Sequence, residues 1–207
     1  MRQQLSIRQY RRIDLLLFSV ILCLCESVII LAETRWFKGE PYVMSVTGAV
    51  CAVVMFRWGP WAGIYAVLGA VLRCALYHWP LWQYAVWGLG NLLCMIALIP
   101  IKAFGWRKIR DNTLFCMGFG LLVVLLMQTG RALMCLIFIM FHIIEGDTAA
   151  CLMHYTTDVI PLLFTVVLMW IARRVDGLLE EQRHYVIRIG RETASETESE
   201  NAGRMKP

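Results

Sequence analysis

Long apolar runs broken by short polar segments dominate the pattern of this chain. The runs 13–32, 42–56, 60–77, 83–104, 113–143 and 149–172 are mostly apolar, and a membrane-crossing helix needs about 20 such residues. The pattern therefore predicts an all-α integral membrane protein with six transmembrane helices. The polar residues inside the runs are few and one-sided. Glu26, Arg73, Asn91, Arg131, His154 and Asp158 all fall in the half of their run farther from the basic loops. Charge inside hydrocarbon is costly unless it is paired or lines a cavity. A cluster of this kind predicts a pocket that opens away from the basic side.

The junctions carry their own signals. Gly59-Pro60 marks a tight turn between the second and third runs, with the proline starting the next helix. Run 113–143 has 31 residues and as one helix would reach about 46 Å, beyond a hydrocarbon core of roughly 30 Å. It is expected to tilt and protrude, or to break near Gln128-Thr129-Gly130. Gln128, Arg131 and His142 share one face of it. In the last run Pro161 follows His154 and Asp158, and it is expected to free a backbone carbonyl and bend the helix.

Charge fixes an orientation. The 207 residues carry a net charge of +5, and sixteen of the twenty lysines and arginines lie in the termini and in the loops on one side. Such a bias marks the cytoplasmic face, so both termini are expected inside, and the basic excess needs no nucleic acid to explain it. The domain reading is a lead-in at 1–12, a membrane domain at 13–174, an amphipathic extension at 175–189 and a disordered tail at 190–207. The tail is rich in Glu, Ser and Thr and has no aromatic residue. The eight cysteines lie in or at the ends of apolar runs and form no C-x-x-C. Cys74 with His78, and Cys151 with His154, are each half of a zinc set at most, so no metal and no cofactor are expected.

Catalytic motifs are missing from the sequence. It holds no nucleotide-binding glycine loop, no G-x-S-x-G and no H-E-x-x-H, so no enzyme activity is expected and any ATP hydrolysis would belong to partners. The candidate ligand residues are Trp36, Tyr84, Trp87, Asn91, Gln128, Arg131, His154 and Asp158. Tyr84, Trp87 and Asn91 fall on one helical stripe, an amide beneath two rings that suits a flat heteroaromatic ligand. Trp36, in the loop 33–41, either anchors at the interface or covers the pocket. Arg73 and Arg131 must pair, because a guanidinium stays charged. The partner is either an internal carboxylate (Glu26 or Asp158) or a carboxylate or phosphate on a ligand. On the first helix Ser19, Cys23 and Ser27 recur every four residues, a small-residue stripe that serves either internal packing or a partner subunit.

The six runs in about 200 residues, the stripe Ser19/Cys23/Ser27, the segment GPWAGIYAVLGAVL (59–72), the GLGN at 88–91 and the basic ending ARRVDGLLEEQRHYV together resemble the S component, the substrate-capturing membrane subunit, of energy-coupling factor (ECF) vitamin transporters. The resemblance covers residues 10 to 190. It implies high-affinity binding of a vitamin or related micronutrient, within helices four to six beneath the 33–41 loop. It also implies a transmembrane coupling subunit and two cytoplasmic ATPases as partners in the lipid bilayer of a bacterial cell. A membrane-embedded sensor module and a non-catalytic subunit of an envelope complex are the alternatives.

Overall fold

The computed structural model describes residues 7–38, 42–146, 148–175, 177–182 and 185. Within them the chain forms nine α-helices and no strand: α1 (Ile7–Trp36), α2 (Thr47–Trp58), α3 (Ala62–Leu76), α4 (Leu81–Asn91), α5 (Leu98–Phe104), α6 (Trp106–Asp111), α7 (Thr113–Met140), α8 (Thr148–Thr157) and α9 (Val159–Ala172). A 3₁₀ stretch at 92–97 carries α4 into α5. Four helical runs, Ile7–Trp36, Thr47–Leu76, Leu81–Phe104 and Thr113–Met140, are long and apolar enough to cross a membrane. The pair Cys151–Thr157 and Val159–Ala172 passes the same test together but is bent by 49°, which brings the count to four or five. The described residues are thus all-helical, with several helices long and apolar enough to cross a bilayer.

The run Thr47–Leu76 does not pass straight through. Gly59, at φ 58°, and Pro60 reverse the chain, as the sequence predicts. The Cys51 thiol reaches the Ala62 carbonyl at 3.6 Å, two positions that a continuous helix would hold about 16 Å apart. Nearer the other end, Gly69 lies directly against the Thr47 side chain. α2 and α3 are therefore the arms of a hairpin, and its 12 and 15 residues make arms of only about 18 and 22 Å.

α1 shows why its sequence folds as it does. Its buried residues are Asp14, Leu22, Glu26, Ile30 and Glu33, one stripe at helical spacing. The opposite face, including Leu16, Val20, Leu24, Val28 and Leu31, is exposed and apolar, as a lipid-facing surface must be. The stripe carries three carboxylates, and each meets an arginine. At the end nearer the basic loops, Arg57 Nε and Nη2 donate to Asp14 at 2.9 and 2.7 Å. The Trp58 indole donates to the same carboxylate at 2.6 Å, and Arg57 Nη1 reaches the Gly177 carbonyl at 2.9 Å.

α7 is one unbroken helix of 28 residues, so run 113–143 takes the long rather than the broken form. Asn112 caps it, its side-chain oxygen accepting from Leu114 and Phe115 at 3.0 and 3.3 Å. The helix stops at Met140. His142 lies beyond it with φ 53° and is exposed, so it does not share the face of Gln128 and Arg131. The last run does break, with a 49° bend between α8 and α9. The cause is Pro161, which has no N–H for the Thr157 carbonyl one turn earlier.

Past Ala172, towards the segment expected to form an amphipathic extension, the described chain leaves the helix. Residues 173–180 are turns and bends where described, with Gly177 at φ 73°, a value that favours glycine and ends helical growth. This lets Leu179 enter the core at 1% exposure. The predicted tail 190–207, and parts of the lead-in 1–12 and of the extension 175–189, lie outside the described residues.

Candidate functional site

Two close approaches at glycines build the polar centre. Where α4 meets α7, the Gly90 carbonyl touches Gly130 directly, and a Cβ on Gly90 would stand 2.7 Å from the Arg131 amide nitrogen. Only glycine permits such an approach. It sets Asn91 and Arg131, the next residue on each helix, beside one another. Where α2 meets α3, Gly69 against Thr47 sets Arg73, one turn further on, beside the start of α2.

α2 begins inside the apolar part of the molecule, so its first N–H groups need acceptors where water is scarce. Glu26 of α1 supplies one. Its Oε1 accepts from the Val46 and Thr47 amides, both at 3.0 Å, from the Thr47 hydroxyl at 2.7 Å, and from the Ser45 hydroxyl. A carboxylate at a helix N-terminus is also favoured by the helix dipole. Arg73 donates to Glu26 Oε2 at 3.3 Å, to Glu33 Oε2 at 3.1 Å and to the Met44 carbonyl. Glu33 in turn accepts from the Met44 amide and, at 2.5 Å, from the Tyr77 hydroxyl. Segment 42–46 is thus tied down from several sides. Its Val43 N–H also donates at 3.0 Å to Thr157 O, the carbonyl that Pro161 leaves free.

The second arginine is bound more thinly. Arg131 Nη1 lies 2.5 Å from Asp158 Oδ2, and its Nε donates at 3.4 Å to Met127 O within its own helix. Its guanidinium lies 4.2 Å from the Trp87 ring centroid, with that of Arg73 at 5.9 Å from the same ring. Among the described residues Nη1 has no aligned hydrogen bond, and Asn91 Oδ1 has no partner. Asn91 Nδ2 donates to Ala66 O at 3.2 Å. These residues line a cavity that also touches Ser45 and Thr47. Its volume is about 20 Å³, room for a single water molecule.

The predicted ligand residues divide accordingly. Trp87, Asn91, Arg131 and Asp158 line the cavity. Gln128 stands behind it, donating to the Asp158 carbonyl at 3.2 Å. His154 meets the Trp87 ring edge to face at 5.9 Å. Trp36 does not join them; it ends α1 at 80% exposure, as an interface anchor would. Tyr84 is half-buried against the cluster of Val86, Trp87 and Cys74 rather than on the cavity. The platform of two rings over an amide is therefore not formed, and a guanidinium occupies the Trp87 face instead. Ser19 donates to Leu15 O in its own helix at 3.0 Å, and Ser19, Cys23 and Ser27 are half-buried along the edge of the α1 stripe. Among the described residues no group of His, Cys, Asp or Glu is arranged to hold a metal.

Glu33, Ser45, Thr47 and Tyr77 belong to the polar centre and were not singled out from sequence. The signal available was S-x-T at 45–47, a helix-start pattern at a point where the hydropathy reads as span. Comparison of the chain with protein-family models, curated proteins and solved structures found no match.

Proposed function

We propose that this chain is the substrate-binding membrane subunit of an ECF-type importer, taking up a small vitamin-like ligand from outside a bacterial cell. The observation that carries the reading is buried Asn91 Oδ1, which has no hydrogen-bond partner among the described residues, at one cavity with Arg131, whose one carboxylate partner among those residues is Asp158. A buried acceptor is seldom left so, and a ligand with a donor for Asn91 and a carboxylate to replace Asp158 on Arg131 would complete the site. In this reading α1, the two hairpin arms, α4 with α5, α7, and α8 with α9 count as six spans, and both termini face the cytoplasm. The small-residue stripe of α1 faces the coupling subunit, and separate ATPases supply the energy.

Binding sites for small molecules usually measure about 300–1,000 Å³, far more than the cavity at rest. Capture therefore requires α8 to move. The ligand's carboxylate then takes over Arg131 from Asp158. Mass spectrometry of small molecules released from the purified protein identifies the ligand. Arg131→Ala should weaken its binding roughly 10- to 150-fold, the loss of a charge-assisted hydrogen bond of about 1.5–3 kcal/mol. Unchanged affinity removes Arg131 from the site. Co-purification with a coupling protein and two ATPases supports the importer, whereas recovery with a kinase or a cell-wall complex replaces it with a sensor or an envelope subunit.

A further inference from the structure

A second, larger cavity of about 230 Å³ lies at the opposite end of the molecule. Gly105, at φ 80°, ends α5 and turns the chain into α6, after which α7 starts back into the apolar zone. The wedge between them is lined by Pro100, Phe104, Phe115, Gly118 and Leu122, with a single cation, Lys108. Phe104 and Phe115 are 63% and 57% exposed, so the wedge opens sideways to the surroundings of the bundle. A Cβ added to Gly118 would meet nothing within 4 Å. The glycine there holds a slot open rather than admitting a neighbouring helix.

Of the basic residues at this end of the molecule, Lys108 is the one that lines the wedge. Arg110 pairs with Asp111 at 3.0 Å and with Glu180 at 3.9 Å, and Arg173 donates to Asp111 O at 3.3 Å. Among the described residues no carboxylate stands within ion-pair distance of Lys108, whose Nζ lies 5.9 Å from the Phe104 ring centroid. An apolar slot of this size with one unpaired cation at its mouth matches an amphiphile with a single negative group. We propose that the wedge binds an anionic phospholipid of the cytoplasmic leaflet, one acyl chain between α5 and α7 and the phosphate on Lys108. Membrane-surface anions attract basic residues in this way. This site is independent of the cavity beneath Trp87.

The test is native mass spectrometry of the full chain titrated with phosphatidylglycerol or phosphatidylcholine of identical acyl chains. The wild type should retain phosphatidylglycerol about fivefold better, the ratio expected for one lysine near a lipid headgroup. Lys108→Gln should abolish that preference and Lys108→Arg should keep it. Gly118→Leu should fill the slot and lose both lipids. Lys108 and Gly118 are both exposed, so these variants are expected to fold. Equal retention of the two lipids by the wild type, a preference surviving in Lys108→Gln, or undiminished adducts in Gly118→Leu each overturn the proposal.

Discussion

Arg73 and Arg131 are both buried, both face Trp87 and both meet carboxylates, yet they sit in different kinds of surroundings. Around Arg73, two glutamates and the Met44 carbonyl share the guanidinium, and Glu26 is further held by the amides at the start of α2. Those bonds join α1, α2, α3 and segment 42–46. Around Arg131 there is one carboxylate, one long bond to its own helix, and an unpartnered amide oxygen on the facing helix among the described residues. The first arrangement is a scaffold that tolerates no exchange of partners. The second is a pair that few other bonds depend on, which is why the proposed ligand is placed there.

The largest effect should come from Arg73→Met. It strands two carboxylates, Glu26 at 0% and Glu33 at 8% exposure, and breaking a buried pair from one side costs about 3–5 kcal/mol. Adding Glu33→Gln should not restore stability, since Glu26, buried at the start of α2, is still left without its arginine. Arg131→Met should also destabilise, but Arg131→Met/Asp158→Leu should return close to the wild-type melting temperature. Replacing an isolated buried pair by apolar side chains is often neutral. Melting in detergent followed by tryptophan fluorescence compares the four variants. Equal recovery of both pairs would erase the distinction between scaffold and site, and recovered ligand affinity in the second double variant would exclude Arg131 from binding.

A smaller loss is expected at the crossing that positions Arg131. Gly130→Ala pushes a methyl group into the Gly90 carbonyl, backbone that cannot swing aside. Overpacking costs typically about 1–3 kcal/mol, here at the upper end, and the displacement of α4 from α7 should also weaken ligand binding. Gly118→Ala on the same helix meets open space and serves as the control, with a change in stability within about 0.5 kcal/mol.

Much of this was legible in sequence because it follows from local rules. Apolar runs gave the helices, Gly59-Pro60 the reversal and Pro161 the bend. The one-sided placement of Glu26, Arg73, Asn91, Arg131 and Asp158 gave the polar centre. Pairing was harder to read. Either arginine had a choice of carboxylates, and the outcome depends on which helices cross at Gly69 and Gly90, a tertiary fact. Glu33 read as loop because α1 was expected to end at residue 32, whereas the helix runs on to Trp36 and keeps Glu33 on the buried stripe. Tyr84 was misplaced by spacing alone. It shares a stripe with Trp87 and Asn91, but a stripe is broad, and only the residues nearest α7 reach the cavity.

The smallest change, at Asn91, separates structure from binding most cleanly. Its Nδ2 holds the Ala66 carbonyl at 3.2 Å, a neutral hydrogen bond that contributes about 0.5–1.5 kcal/mol. Its Oδ1 has no partner among the described residues, so Asn91→Leu removes an unsatisfied acceptor together with one satisfied donor. These two effects oppose each other, and the melting temperature should fall by little more than the error of the measurement. Ligand affinity has no such compensation. If a ligand donor meets Oδ1, its loss leaves that donor buried and unpaired, a penalty of about 1–3 kcal/mol that reads as a drop of roughly 5- to 150-fold. A purely structural Asn91 would give the reverse pattern, with stability falling and affinity held. Glu26→Gln is the matched test on the scaffold side. It keeps an acceptor for the α2 amides while discarding the charge that Arg73 needs, so stability should fall and ligand affinity should stay within a few-fold of wild type.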